Sequence, residues 1–143
     1  MPRFQLVPYA ALNGPQKENH NYQKVSGVLA GYGFSTVRLT DDWNGADFIA
    51  QHCDGMTVLR VQLKPRLVFS KKYQRKELWM CFPSTSGAYL FPHDQVLPLF
   101  LSSGKVMRGT SSWDEKGSYS IRQVAKWMVP VLERYHYRAT ERQ

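Results

Sequence analysis

The chain has 143 residues, of which 43% are hydrophobic and 13% aromatic, enough for one ordinary domain with a buried core. Its net charge of +8 favours a polyanionic partner, most often nucleic acid, although a charge excess that only aids solubility is the alternative. No apolar run approaches the length of a membrane span and no signal peptide is visible, so we expect no membrane association. Two cysteines without metal-ligand spacing argue against a disulfide framework and favour a reducing, cytoplasmic setting.

The predicted elements begin with an irregular lead over residues 1–14, followed by a helix from Pro15, because proline suits a first helical turn. Gly31 and Gly33 end this helix. Glu18 lies at the edge of its apolar stripe and either faces the sheet or compensates the helix dipole as a first-turn acid. The stripe has helical spacing and consists of Tyr22, Val25, Val28, Leu29 and Tyr32.

Three strands follow in the chain. The first covers residues 34–39 and leads into a loop over 41–45. The second carries Asp47, and an Asp54-Gly55 turn, a strong hairpin signal, connects it to the third. Pro65 ends the third strand because proline has no N–H to donate to a ladder.

The side chains of this hairpin place three polar groups together. Gln62 and Lys64 share a face because they are two residues apart on a strand, and Arg60 lies on that face too. Pairing across the turn brings Asp47 to the same end. An acid, an amide oxygen and an ammonium at one strand end can hold a divalent cation beside a phosphate.

Positive charge is concentrated directly after this hairpin. Residues 60–76 contain seven basic residues and no acidic ones. The part beyond Pro65 is predicted to be a basic loop that contacts phosphate groups, which position a nucleic acid without reading its sequence. An ordinary solvated loop is the alternative. The predicted phosphate-binding residues are Arg60, Arg66, Lys71, Lys72, Arg75 and Lys76.

The second half adds strands over 78–82 and 88–91, a helix over 94–101 capped by Asp94, and a polar loop over 102–117. A C-terminal helix is predicted over about 120–137, with a Ser120–Gln123 capping box and a kink at Pro130. The order of helix, four or five strands and further helices indicates an α/β or α+β domain built on one mixed sheet.

This order of elements resembles the PD-(D/E)XK nuclease superfamily between about Glu18 and Phe91. Asp47 stands at the family's strand-borne Asp, and Gln62-Leu63-Lys64 stands for its (D/E)XK element. The pattern is most similar to small bacterial members, including restriction-enzyme-like and group I intron homing endonucleases. The resemblance implies a restriction-endonuclease-like core, with a central mixed four- to five-stranded sheet flanked by helices, and a single domain over residues 1–143.

The same resemblance implies a set of site residues. The enzymes of this family cut DNA phosphodiesters with Mg²⁺, or Mn²⁺ in its place. By analogy Asp47, Gln62, the backbone carbonyl of Leu63 and Glu18 are the metal ligands. Lys64 would orient the attacking water or stabilise developing charge, so the catalytic set is Asp47, Gln62, Lys64 and Glu18.

Two positions depart from the family pattern. Gln62 is neutral, so the site has one negative charge fewer with which to hold Mg²⁺, an ion that prefers carboxylates. Ala46 precedes Asp47 where the family often has proline. Glu18 can restore the missing charge if its helix faces the sheet edge.

Three functions are consistent with these features. The first is a metal-dependent DNA endonuclease that acts as a homo-oligomer, a dimer or tetramer, because duplex cleavage needs two sites and this chain carries one. The second is a nucleic-acid-binding module that kept the fold and lost metal affinity through Gln62. The third is a protein-interaction or regulatory domain whose basic loop binds an acidic partner.

Overall fold

The computed structural model describes residues 3–139, with the side chain of Asp42 excepted, so residues 1 and 2 of the predicted lead lie outside the described part. The α-helices are α1 (Gly14–Ala30), α2 (His93–Ser102), α3 (Ser111–Asp114) and α4 (Val129–Leu132). The strands are β1 (Phe34–Trp43), β2 (Ala46–His52), β3 (Val58–Leu63), β4 (Leu67–Ser70), β5 (Leu78–Ser84), β6 (Gly87–Pro92), β7 (Ser118–Ile121) and β8 (His136–Arg138).

The strands form a mixed sheet, which confirms the predicted fold class. Six of the described strands pair in the order β1-β2-β3-β5-β6-β8, rather than the four or five predicted, and β4 pairs with β7 in a small second sheet. β3 and β5 run parallel, while the other neighbours in the six-stranded sheet are antiparallel. The segment between β3 and β5 must therefore cross from one end of the sheet to the other.

Each face of the large sheet is covered by its own apolar cluster. On one face α1 packs Val25 and Leu29 against residues such as Phe48 and Val61. On the opposite face α2 and the small sheet cover β5 and β6, with Phe100 fully buried. Burying one such side chain contributes about 1.5–3 kcal/mol, so the two clusters hold the helices on both sides of the sheet.

The first helix begins at a capping box. The Asn13 side chain accepts a hydrogen bond from the Gln16 N–H at 2.9 Å, and Gln16 Oε1 accepts one from the Asn13 N–H at 3.0 Å. Two N–H groups that the helix cannot satisfy internally are thus paired. Glu18 lies beyond the first turn, which contains no acidic residue, so its interpretation as a first-turn acid is wrong.

The predicted loop over residues 41–45 is wrong. β1 continues to Trp43, and a two-residue turn of Asn44 and Gly45 joins it to β2, with Trp43 paired to Ala46. Both turn residues have positive φ, 52° and 86°. Asn-Gly is the preferred pair for this type of hairpin, so the signal was present in the sequence. The turn fixes where β2 begins and therefore where Asp47 lies.

The predicted Asp54-Gly55 hairpin is confirmed. Asp54 Oδ1 accepts hydrogen bonds from the N–H groups of Met56 and Thr57, each at 2.8 Å, and Oδ2 accepts one from the Thr57 hydroxyl at 2.7 Å. The bonds from Thr57 and Met56 hold the pKa of the Asp54 carboxyl well below its usual value. The turn thus ends the hairpin opposite to the end that carries Asp47.

The predicted basic loop after Pro65 contains more structure than expected. Residues 67–70 form β4, and Lys71–Tyr73 form a 3₁₀-helix. Leu67 and Phe69 share one face of β4 because they are two residues apart, and both are buried in the core. The aromatic residues of this segment, Phe69 and Tyr73, are therefore core residues, whereas its basic side chains are exposed.

The predicted C-terminal helix over 120–137 is wrong. Ser120 and Ile121 belong to β7, because the edge of β4 needs a partner: Ser120 pairs with Val68. Pro130 lies in the first turn of α4, where its missing N–H costs nothing, so it starts a short helix instead of kinking a long one. β8 then joins the edge of the large sheet beside β6.

Replacing Gly45 with alanine tests the Asn44-Gly45 turn. A Cβ atom at Gly45 would lie 2.9 Å from Leu78 Cδ1 at a φ of 86°. Because left-handed φ costs other residues about 1–2 kcal/mol, Gly45→Ala should lower the free energy of unfolding in urea by at least that amount. The exposed helical Gly27 has no such neighbour, and Gly27→Ala should instead raise it by about 0.5–1 kcal/mol. Equal effects of the two substitutions would contradict this account.

Candidate functional site

Asp47 ties β2 to β3 through its carboxylate. Its Oδ2 atom accepts a hydrogen bond from Gln62 Nε2 at 2.9 Å and another from the Leu63 backbone N–H at 2.8 Å. Both Asp47 and Gln62 are half-buried, on the sheet face opposite α1. The predicted meeting of Asp47 and Gln62 therefore occurs, and the amide group of Gln62 presents its NH₂ to the carboxylate.

Lys64 lies at the same end of β3. Its backbone N–H donates to the Cys81 carbonyl at 2.9 Å, which fixes its position beside β5. Its ammonium lies 5.8 Å from the ring centroid of Tyr73, and that of Lys72 lies 5.2 Å from the same ring. Tyr73 is buried, and an aromatic face attracts cations at such distances. One ring thus holds two positive charges beside Asp47.

Glu18 reaches the same region from α1. Its side chain is 62% exposed, and its Oε1 atom lies 3.7 Å from Arg38 Nη2. An exposed ion pair of this length contributes little and leaves the carboxylate able to move. The four residues predicted as catalytic therefore come from one helix and two strands to one place.

A cleft of about 650 Å³ lies between these side chains, and we call it the carboxylate cleft. A second cavity of about 470 Å³, the bridge cavity, shares Glu18, Asp47, Gln62 and Lys64 with it. The charged and polar residues that line the carboxylate cleft include Glu18, Asp41, Asp47, Gln62, Lys64, Lys72 and Lys76.

The predicted phosphate-binding residues separate into groups. Lys72 and Lys76 line the carboxylate cleft, and Arg66 lines a third cavity, described below. Arg60 lies outside these cavities, with Nη2 3.0 Å from Glu77 Oε2. The Lys71 ammonium lies 5.1 Å from the centroid of Trp113. Arg75 is exposed outside these cavities.

Asp41 and Tyr73 also line the carboxylate cleft, although neither belongs to the predicted set of catalytic and metal-binding residues. Asp41 was placed in a loop, whereas it lies on the extended β1 and lines the carboxylate cleft. Tyr73 lies within the segment predicted to be a basic loop after Pro65. The Asn44-Gly45 hairpin signal could have placed Asp41 opposite β2, but no local pattern indicates that Tyr73 turns inward.

The donor atoms around the cleft suit a hard cation. Carboxylate, amide and backbone oxygens are the ligands that Mg²⁺ and Mn²⁺ prefer. No group of three or more His, Cys, Asp or Glu side chains in the described residues is close enough to hold a metal ion by itself. Mg²⁺ is commonly bound by one or two carboxylates together with water and phosphate, so these residues fit such an ion.

The cysteines do not contribute to the site. Both are free thiols, with Cys53 exposed at the β2–β3 turn and Cys81 buried. Burial raises the pKa of the Cys81 thiol to about 12, which makes it a core residue rather than a nucleophile.

Comparison with protein-family models and with curated proteins finds no match. Among solved structures, the chain is similar to Hjc, a Holliday junction resolvase from the archaeal hyperthermophile Archaeoglobus fulgidus. The sequence identity is 16%, the TM-score is 0.44, and the match covers 55% of this chain and 74% of that one.

None of the helices within residues 3–139 combines the length and the apolar character that crossing a membrane requires.

A buried histidine holds the basic 3₁₀-turn after β4 in place. The Ser70 N–H donates to His93 Nε2 at 3.1 Å, so the proton of the neutral ring is on Nδ1, which donates to Asp94 Oδ1 at 2.9 Å. The Arg75 N–H donates to Asp94 Oδ2 at 2.7 Å. Asp94 therefore accepts hydrogen bonds from His93 and from the Arg75 N–H instead of capping α2, where no side-chain cap bond is present.

The His93 network predicts that the protein is less stable in mild acid. Burial holds the pKa of His93 below its usual value, although Asp94 acts in the opposite direction. The unfolded state therefore binds more protons below about pH 6.5, and the free energy of unfolding should fall as pH falls through this range. The free energy of unfolding, measured in urea between pH 7.5 and pH 5, should fall less with pH for His93→Gln than for wild type.

Some pH dependence should remain in His93→Gln, because burial also lowers the pKa of His136. The exposed His20 offers the matched control, and His20→Gln should keep the wild-type dependence. Identical curves for wild type and His93→Gln would refute the role given to His93.

Proposed function

We propose that the protein is a metal-dependent endonuclease that hydrolyses DNA phosphodiester bonds. The observation that carries this proposal is the convergence of Glu18, Asp47, Gln62 and Lys64 on the carboxylate cleft from α1, β2 and β3. Glu18, Asp47 and the Gln62–Lys64 pair are far apart in sequence, and their order follows that of the elements in the PD-(D/E)XK superfamily.

The proposed roles follow from the chemistry of each group. Asp47 is the principal ligand, with Glu18, the Gln62 amide oxygen and the Leu63 carbonyl as further oxygen donors. A divalent cation bound there supplies a water of lowered pKa and polarises a phosphoryl oxygen. The two hydrogen bonds from Gln62 and Leu63 orient the Asp47 carboxylate.

The basic groups have a separate task. Lys64 would donate to a phosphate oxygen as charge develops, or orient the attacking water. Lys72 and Lys76 line the same cleft and would attract the phosphate backbone. One such cleft per chain cuts one strand at a time, so we propose a homo-oligomer, a dimer or tetramer, for cleavage of both strands. We also propose a cytoplasmic location, because both cysteines are free thiols.

Cleavage of DNA in Mg²⁺ or Mn²⁺ tests the proposal. Supercoiled plasmid and a single-stranded circular DNA should be cut by the wild type, and excess EDTA should abolish the cutting. Asp47→Ala and Lys64→Ala should each lower the rate at least about 100-fold, the effect of removing a group that stabilises the transition state. Gln62→Glu should keep the activity and require less Mg²⁺, because it adds a carboxylate.

The adjacent exposed residues Glu115 and Lys116 lie outside the cleft and provide matched acidic and basic controls. Glu115→Ala and Lys116→Ala should cut at the wild-type rate. Cutting that persists in Asp47→Ala or in EDTA would reject the proposed site.

A nucleic-acid-binding module without catalysis is the second candidate. The Gln62–Asp47 hydrogen bond favours it, because an amide NH₂ occupies a carboxylate oxygen that would otherwise face a cation. Salt-dependent DNA binding without cutting in either metal, and without a gain of cutting in Gln62→Glu, would identify this function.

A further inference from the structure

A third cavity, of about 560 Å³, carries an unusual excess of positive charge, and we call it the basic cavity. Its lining includes Lys24 from α1, Arg66 after β3, and Arg122 after β7, and none of the described residues that line it is acidic. Within residues 3–139 no ion pair involves these three side chains. These three exposed cations are therefore available to bind an anion.

Part of the remaining wall of the basic cavity is apolar or aromatic. Leu67, Ile121 and Val124 contribute aliphatic surface. Tyr89 is stacked between Phe82, at 4.7 Å between ring centroids, and His136, at 4.1 Å. Because both faces of Tyr89 are covered, this stack forms a fixed wall.

Polar groups that can bind the edge of a base are also present. The exposed side chains of Thr85 and Gln123 line the cavity and can both donate and accept hydrogen bonds. The volume lies within the range of pockets that hold small organic ligands. A cation cluster beside apolar walls with a few hydrogen-bonding groups suits a nucleobase joined to a phosphate.

The basic cavity adjoins the bridge cavity, which in turn adjoins the proposed active site. Tyr9, Asn21 and Pro65 line both the basic cavity and the bridge cavity, and the bridge cavity shares Asp47 and Lys64 with the carboxylate cleft. Tyr9 is 42% exposed, and its hydroxyl accepts a hydrogen bond from Asn21 Nδ2 at 3.0 Å. The Tyr9 ring, held by this hydrogen bond and accessible to solvent, thus lies where the basic cavity meets the bridge cavity.

We infer that the basic cavity binds an unpaired nucleotide of a DNA strand that continues into the carboxylate cleft. The phosphate would bind Arg66, Arg122 and Lys24, and the base would lie against the apolar wall. A base inside a duplex is stacked and paired, so only an unpaired base can enter a cavity. The continuation into the cleft rests on the proposed nuclease function, whereas the preference for an unpaired nucleotide does not.

Fluorescence anisotropy in EDTA, where no cutting occurs, tests this inference. The probes are a fluorescein-labelled single strand of about 16 nucleotides and the same strand annealed to its complement. Wild type should bind the single strand more tightly. Arg122→Gln, which removes a charge, and Gln123→Trp, which fills the cavity at an exposed position, should each weaken single-strand binding at least about fivefold and duplex binding less than about twofold.

Arg108 is exposed and does not line the cavity, so Arg108→Gln is the matched control for loss of one charge and should change both affinities equally. The inference is overturned if wild type shows no preference for the single strand or if Arg122→Gln weakens both probes alike. It is also overturned if polyglutamate displaces the labelled single strand as effectively as unlabelled DNA does. Cutting that depends on Asp47 would still support the nuclease in any of these cases.

Discussion

The hydrogen bonds that the Asp47 carboxylate accepts from Gln62 and Leu63 are the constraint on which the site depends. The β2–β3 ladder extends from the Gln51–Val58 pair to the Phe48–Val61 pair, and the N–H of Leu63 lies beyond it. The carboxylate takes the place of a backbone acceptor there, which satisfies a donor that would be costly to leave unpaired. The same two bonds fix the carboxylate beside the amide of Gln62 and close to Lys64.

Two buried rings, those of Tyr73 and His93, position the basic segment after β4 near Asp47. His93 and Asp94 bind the backbone on both sides of the 3₁₀-turn after β4, and Tyr73 on that turn holds the ammonium groups of Lys64 and Lys72. A segment that is polar in sequence is thus positioned by core residues. Positive charge is thereby arranged beside Asp47, whose carboxylate accepts hydrogen bonds from the Gln62 amide and the Leu63 N–H.

The sequence was sufficient where the signal was local or alternating. Period-two alternation placed Gln62 and Lys64 on one face, and the Asp54-Gly55 pair located the hairpin. It was insufficient where partners come from distant segments: Ser120 lies in a strand because β4 needs a neighbour, although its own segment has helical spacing. Tyr73 likewise joins the site through burial of the basic segment, which no local pattern indicates. Asp41 is a different case, because the Asn44-Gly45 pair that places it is a local signal that the predicted loop over 41–45 did not use.

Binding of Mn²⁺ followed by paramagnetic broadening of backbone amide NMR signals tests most directly whether the carboxylate cleft is a metal site. The account predicts that the amides of Asp47, Leu63 and Lys64 broaden at the lowest Mn²⁺ concentration, and that Asp47→Asn removes this effect. Broadening that begins instead at the exposed Asp54 turn, or that is unchanged in Asp47→Asn, would contradict it.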